Sequence, residues 1–159
     1  MRVNPFFAAS MVAIALLSVP FSTVIAADAV TEKTSENETA GDETHRLVIQ
    51  VNKREEDFQD HVLANIVNLQ KHYGMDNIEM EVVAYGPGIW LVTEKSAFLK
   101  RVESLMMQNV TFTACGNTLD TVEESSGTRP TLIDGIEETQ AGIARIIALQ
   151  EQGWSYLSP

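Results

Sequence analysis

The chain predicts an α/β fold, a single domain built on a mostly parallel sheet of about five strands. Three observations carry this expectation. Short apolar runs of strand length alternate with longer segments whose apolar residues recur at helical spacing. No two-residue hairpin turn joins one strand to the next. Each of the three strongest strand-like runs ends at a polar or glycine-rich break: Asn52-Lys53, Gly86-Pro87-Gly88 and Cys115-Gly116-Asn117.

The first strand is read from Arg46 through the apolar LVIQV run to Asn52. From Glu55 to Tyr73, Val62, Ile66, Leu69 and Tyr73, flanked by Leu63 and Val67, mark one face of a helix that Gly74 stops. Ile78 to Gly86 alternates and then turns fully apolar, as a largely buried strand does. A second helix is expected from Lys95 to Met107, with Phe98, Val102, Leu105 and Met106 inward. Val110 to Cys115 is the third strand. Asn117 is placed to cap the helix after it, with Asp120 in its first turn, and that helix fades at Ser125-Ser126-Gly127. Beyond Arg129-Pro130 a weaker apolar stretch predicts a small helix and then a short strand over Ile136 to Thr139. Ala141 to Gln152 is the last helix, with Ile143, Ile146, Ile147 and Leu149 inward, and Trp154 to Leu157 is a closing strand.

Two segments precede this domain, which spans residues 45–159. Residues 1–26 combine Arg2, an apolar run from Ala8 to Leu17, Pro20 and small residues near Ala26, the plan of a secretory signal. Ser18, Pro20 and Ser22-Thr23 interrupt the run before it reaches the roughly twenty apolar residues of a spanning helix, and an uncleaved anchor is the second reading. Cleavage is expected after Ala26, with Ala27 and Ala29 as alternatives, and predicts a periplasmic or otherwise exported protein without stable membrane insertion. Residues 27–44 are acidic and nearly free of large apolar side chains, a composition that does not offset the entropy of ordering. They read as a disordered leader, either a solvated linker or a tail that recruits a partner.

The net charge of −11 comes without any basic run, which argues against nucleic acid and anionic membrane surfaces as partners. His45, His61 and His72 lack metal-ligand spacing, so no metal site is expected. Gly86, Pro87 and Gly88 match neither the Walker nor the Rossmann glycine pattern, and no cofactor is expected. These glycines are either a bare turn or a lip whose N–H groups meet an anion.

Chemistry concentrates on Cys115, the only cysteine. An exported lone thiol must be buried, paired between chains or kept for reaction. In a parallel α/β sheet ligands bind beyond the carboxyl ends of the strands, where all three breaks should meet. A helix beginning just after Cys115 would lower its thiol pKa, while Gly116 allows close approach. Against this stand the acids Asp120, Glu123 and Glu124 and the lack of a neighbouring cation. A small residue closing a buried strand accounts for the same placement.

HRLVIQVN, NLQKHYGMDNIEMEVVAYGPGI, VTFTACGNTL and AGIARIIALQEQGWSYLSP, in this order, resemble the DsrE/DsrF-like family of sulfur-relay proteins. The likeness is strongest to an exported, single-cysteine branch and covers nearly all of residues 45–159. It implies a three-layer α/β/α fold and assembly as a homotrimer or homohexamer. It also implies that Cys115 carries sulfur as a persulfide and passes it to the thiol of a donor or acceptor protein. Gly116 and Asn117 would then shape the pocket, with Gly86, Pro87 and Gly88 as its opposite lip. The contrasting expectation is a non-catalytic binding or assembly module in which Cys115 is structural.

Overall fold

The computed structural model describes residues 44–159. The signal and almost all of the leader lie outside the described residues. β1 (His45–Val51), β2 (Ile78–Ala84), β3 (Val110–Cys115), β4 (Glu137–Thr139) and β5 (Ser155–Leu157) form one sheet in the order β4-β3-β2-β1-β5. Every strand pair is parallel. The helices are α1 (Glu56–Tyr73), α2 (Leu99–Met106), α3 (Gly116–Ser126) and α4 (Gly142–Glu151).

The strand order explains which face each helix covers. From β1 to β4 the chain steps along the sheet in one direction, and right-handed crossovers keep the intervening helices on one side. The return from β4 to β5 runs in the opposite direction, so the same handedness puts α4 on the other side.

The first face is thick and apolar. Val62, Leu63 and Ile66 of α1, Val102 and Leu105 of α2 and Leu119 of α3 pack with Ile49, Met80, Val82 and Phe112 of the strands. On the second face Ile146 and Leu149 of α4 cover only Val48 and Val83, with Tyr85 and Trp154 at the margin.

Several boundaries and faces differ from expectation. Gly86–Val92 continues as a 3-10 turn that buries Ile89, Leu91 and Val92, where the sequence suggested only a break. The second helix starts at Leu99, because residues 93–98 bend through hydrogen bonds from Ser96 N–H to Thr93 O and from Phe98 N–H to Ser96 Oγ. No helix forms between Pro130 and β4; instead Leu132 bridges antiparallel to Thr93. Tyr73, expected inward, is exposed on the last turn of α1. Ile143 and Ile147 of α4 are each 50 % exposed, not inward. A single helix on a narrow strip of sheet buries only the line through Gly142, Ile146 and Leu149.

Candidate functional site

Cys115 ends β3 at the carboxyl edge, as its position predicted, and is 6 % exposed. It is itself the N-cap of α3, which begins at Gly116. Asn117 therefore lies inside the first turn and does not cap the helix. Its side-chain oxygen accepts from Gln140 Nε2 at 2.7 Å, and its N–H donates to Gln140 O at 2.9 Å. These bonds tie the segment between β4 and α4 to the start of α3.

The same segment brings a second helix to the sulfur. The N–H of Gly142, the first residue of α4, donates to Cys115 Sγ at 3.3 Å. The absence of a side chain eases this approach. A Cβ on Gly142 would lie 3.1 Å from Cys115 Cβ, 3.2 Å from Val83 Cγ1 and 3.5 Å from Tyr85 Cβ. The thiol in turn donates to Gln140 O over a long 3.8 Å.

The sulfur thus sits at the positive dipole ends of two helices, as N-cap of α3 and as acceptor for the first N–H of α4. Burial pushes the Cys115 thiol pKa up, but hydrogen bonding outweighs it and leaves the pKa below its ordinary value. The Gly142 N–H contributes most to that lowering, followed by the Thr118 hydroxyl and the Thr118 and Asn117 N–H groups. The Asn117 N–H, which also donates to Gln140 O, contributes least.

Gly86, Pro87 and Gly88 reach this corner through Thr118, whose Oγ1 accepts from the Gly86 N–H at 2.9 Å. The Gly88 N–H donates to Tyr85 O at 3.1 Å. Both N–H groups are engaged within the chain, and Pro87 has none to offer. Gly88 is needed for packing: a Cβ there would fall 2.2 Å from Val51 O. Gly116 is less tightly confined, with a Cβ 3.1 Å from Glu138 Oε1 and 3.3 Å from Gln140 Cα.

Sequence reasoning missed four contributors on the α4 face. Glu81 of β2 is 2 % exposed and forms a two-point pair with Arg145 of α4, at 2.8 Å from Nε and 2.7 Å from the terminal nitrogen. Thr113, two residues before Cys115, donates its hydroxyl to Glu81 Oε1 at 2.7 Å. Tyr85 joins a polar wall at the same edge, accepting from Asn52 Nδ2 at 3.4 Å and donating to Gln50 Oε1 at 2.9 Å. A carboxylate within the apolar EMEVVA strand and an arginine within the apolar start of the last helix were the available signals.

The neighbouring charges are paired among themselves. Arg129 bonds Asp120 and reaches Glu138 at 2.6 Å and Glu123 at 3.6 Å. The described residues bring no three His, Cys, Asp or Glu side chains together as a metal-binding group.

The sequence matches no family model and no curated protein. Solved structures share the fold. A protein of unknown function, MTH1491 from Methanobacterium thermoautotrophicum, is 28 % identical with a TM-score of 0.66, over 72 % of this chain and 99 % of its own. The ychN protein from E. coli is 16 % identical with a TM-score of 0.58, over 73 % of this chain and 100 % of its own. The conserved protein of unknown function BT1422 from Bacteroides thetaiotaomicron is 16 % identical with a TM-score of 0.52, over 71 % of this chain and 93 % of its own. The chain is thus an α/β protein whose single described domain has the architecture of these structures.

Proposed function

We propose that the protein is an exported member of the DsrE/DsrF-like family and that Cys115 carries sulfane sulfur. The observation that carries this reading is the convergence of two helix N-termini on one sulfur, led by the Gly142 N–H at 3.3 Å. The motif resemblance and the shared fold point the same way.

The exchange is redox-neutral. The Cys115 thiolate attacks the outer sulfur of a donor persulfide or polysulfide, forming a new S–S bond while the donor's S–S bond breaks. The donor leaves as a thiolate and takes a proton from water. An acceptor thiolate then attacks the outer sulfur on Cys115, and Cys115 leaves as a thiolate. The N–H groups that hold the thiolate before attack also suit it as leaving group, since a depressed pKa speeds departure. Gly116, Asn117 and the loop at Gly86, Pro87 and Gly88 line the approach.

Assembly as a homotrimer or homohexamer belongs to the same proposal. The exposed Ile143 and Ile147, beside Gly142 on α4, and Tyr156 on edge strand β5 offer apolar surface for it.

Intact mass after brief exposure to polysulfide tests the carrier role, with urea-unfolded protein and Cys115→Ser as controls. Faster gain of sulfur at Cys115 in the folded protein supports it. Reaction of the unfolded chain alone would make Cys115 a structural thiol and the protein a non-catalytic binding or assembly module, a reading that its burial favours.

A further inference from the structure

The Gly142 N–H serves the sulfur only while α4 keeps its height on the sheet, so what sets that height bears on the chemistry. The apolar contacts of α4 are few: Ile146 and Leu149 against Val48 and Val83. Such contacts hold a helix to a sheet but resist sliding weakly, because apolar attraction has little direction. Gln140, two residues before Gly142, is tied to Asn117, and the directional side-chain contact from α4 itself to the sheet is the Glu81–Arg145 pair, the one ion pair between them among the described residues.

Its location is informative. Arg145 follows Gly142 by three residues, close to one helical turn. Glu81 and Thr113 sit on the sheet face that carries Val83 and Cys115, each two residues earlier on its own strand. The fork between Arg145 and Glu81 fixes both distance and orientation, and Thr113 pins the carboxylate. Burying a carboxylate at 2 % exposure is costly, and replacing such a pair by apolar residues is often no less stable. Stability alone therefore gives a weak reason for an ion pair here.

The geometry points to Glu81 and Arg145 as positioning residues that hold the N-terminus of α4 in register against the Cys115 sulfur. This rests on the carrier reading and names what readies that thiol. The charged and titratable groups near this corner are Glu81 on β2, Tyr85 after it, Asp120 and Glu123 on α3, Arg129 paired with them, Glu137 and Glu138 on β4, and Arg145 on α4. Removing Glu81 and Arg145 together leaves the local charge balance unchanged, so any change in the thiol reports on the position of the N–H.

The test compares the native protein, the double variant Glu81→Leu/Arg145→Met, and Arg145→Lys, which keeps the charge but loses the fork. Two quantities are read: the pH profile of Cys115 alkylation, and the amide resonance of Gly142 across the same pH range. The native thiol should ionise below its ordinary midpoint, with the Gly142 amide shifting as it does so. The double variant should keep the native melting temperature while its thiol midpoint rises and the Gly142 response shrinks. A rise of about one unit lowers the thiolate fraction tenfold, and higher intrinsic nucleophilicity returns about threefold of that. Alkylation at pH 7 should therefore slow by about threefold. Arg145→Lys should fall between the two, and it carries the test if the double variant does not fold.

A native midpoint and Gly142 response retained in both variants would overturn the positioning role and leave the carrier reading standing. An undepressed thiol in the native protein itself would overturn both.

Discussion

The two faces of the sheet differ in what they are made of. One buries Phe112, Ile49, Met80 and Val82 beneath three helices, with no charged side chain in the cluster. The other lies under α4 alone and holds Glu81, Thr113, Arg145 and the sulfur of Cys115. Non-directional packing on the first face supplies stability, while directional bonds on the second fix atoms relative to one another. The contrast teaches that this fold keeps Cys115 on the face that contributes less to holding it together.

Substitutions can break that division of labour. Phe112→Ala, at the centre of the thick face, is expected to cost about 3–5 kcal/mol in urea unfolding. Where it still folds, the thiol pKa should stay near the native value. A large pKa change there would show that the two faces are not separable.

Next in size is Arg145→Met, which leaves the buried Glu81 carboxylate with Thr113 as its remaining bond. Because Arg145 is itself partly exposed, the expected loss is about 2 kcal/mol rather than the larger penalty of a fully buried pair. Calorimetry of the single and double variants checks it, since adding Glu81→Leu should restore most of the loss.

Gly142→Ala sharpens the comparison further. Its Cβ would press on Cys115 and Val83, and easing that contact by a small shift of α4 should cost about 1–2 kcal/mol. Unlike Phe112→Ala, it should raise the thiol pKa measurably in an alkylation profile.

Much of this was legible in the sequence, and the limit has a physical origin. The carboxyl-edge position of Cys115 follows from one strand run and the alternation around it, both local signals. The start of α3 was likewise visible, although Cys115 and not Asn117 turned out to be its N-cap. The Gly142 N–H lies 27 residues from Cys115 along the chain, and Arg145 lies 64 from Glu81. Such meetings depend on strand order, which periodicity does not encode. The inward assignment of Ile143 and Ile147 failed for a related reason. An apolar stripe marks which helix surfaces avoid water, but the width of sheet beneath decides how many of them it covers.

The smallest expected effect concerns the exposed cluster around Arg129. Hydrogen bonds from Arg129 and then Gln140 hold the Asp120 carboxyl below its usual range, against a small opposing effect of burial. A depressed native pKa adds stability above the ordinary carboxylate value that is lost as pH falls through the native one. Asp120→Asn should remove that acid-side slope from melting curves, and with it a small part of the stability at neutral pH. Cys115 follows the same sign at higher pH: stability should rise between its lowered native midpoint and the ordinary thiol value.

The central claim is that the folded α4 face readies Cys115 for attack. The most direct measurement is the pH dependence of alkylation of Cys115 in the native protein beside the urea-unfolded chain. The account predicts that the native rate reaches half its plateau at a lower pH than the unfolded one, because Gly142 and Thr118 hold the thiolate. A native midpoint at or above the unfolded value would contradict it and leave Cys115 as a small buried residue at the end of a strand.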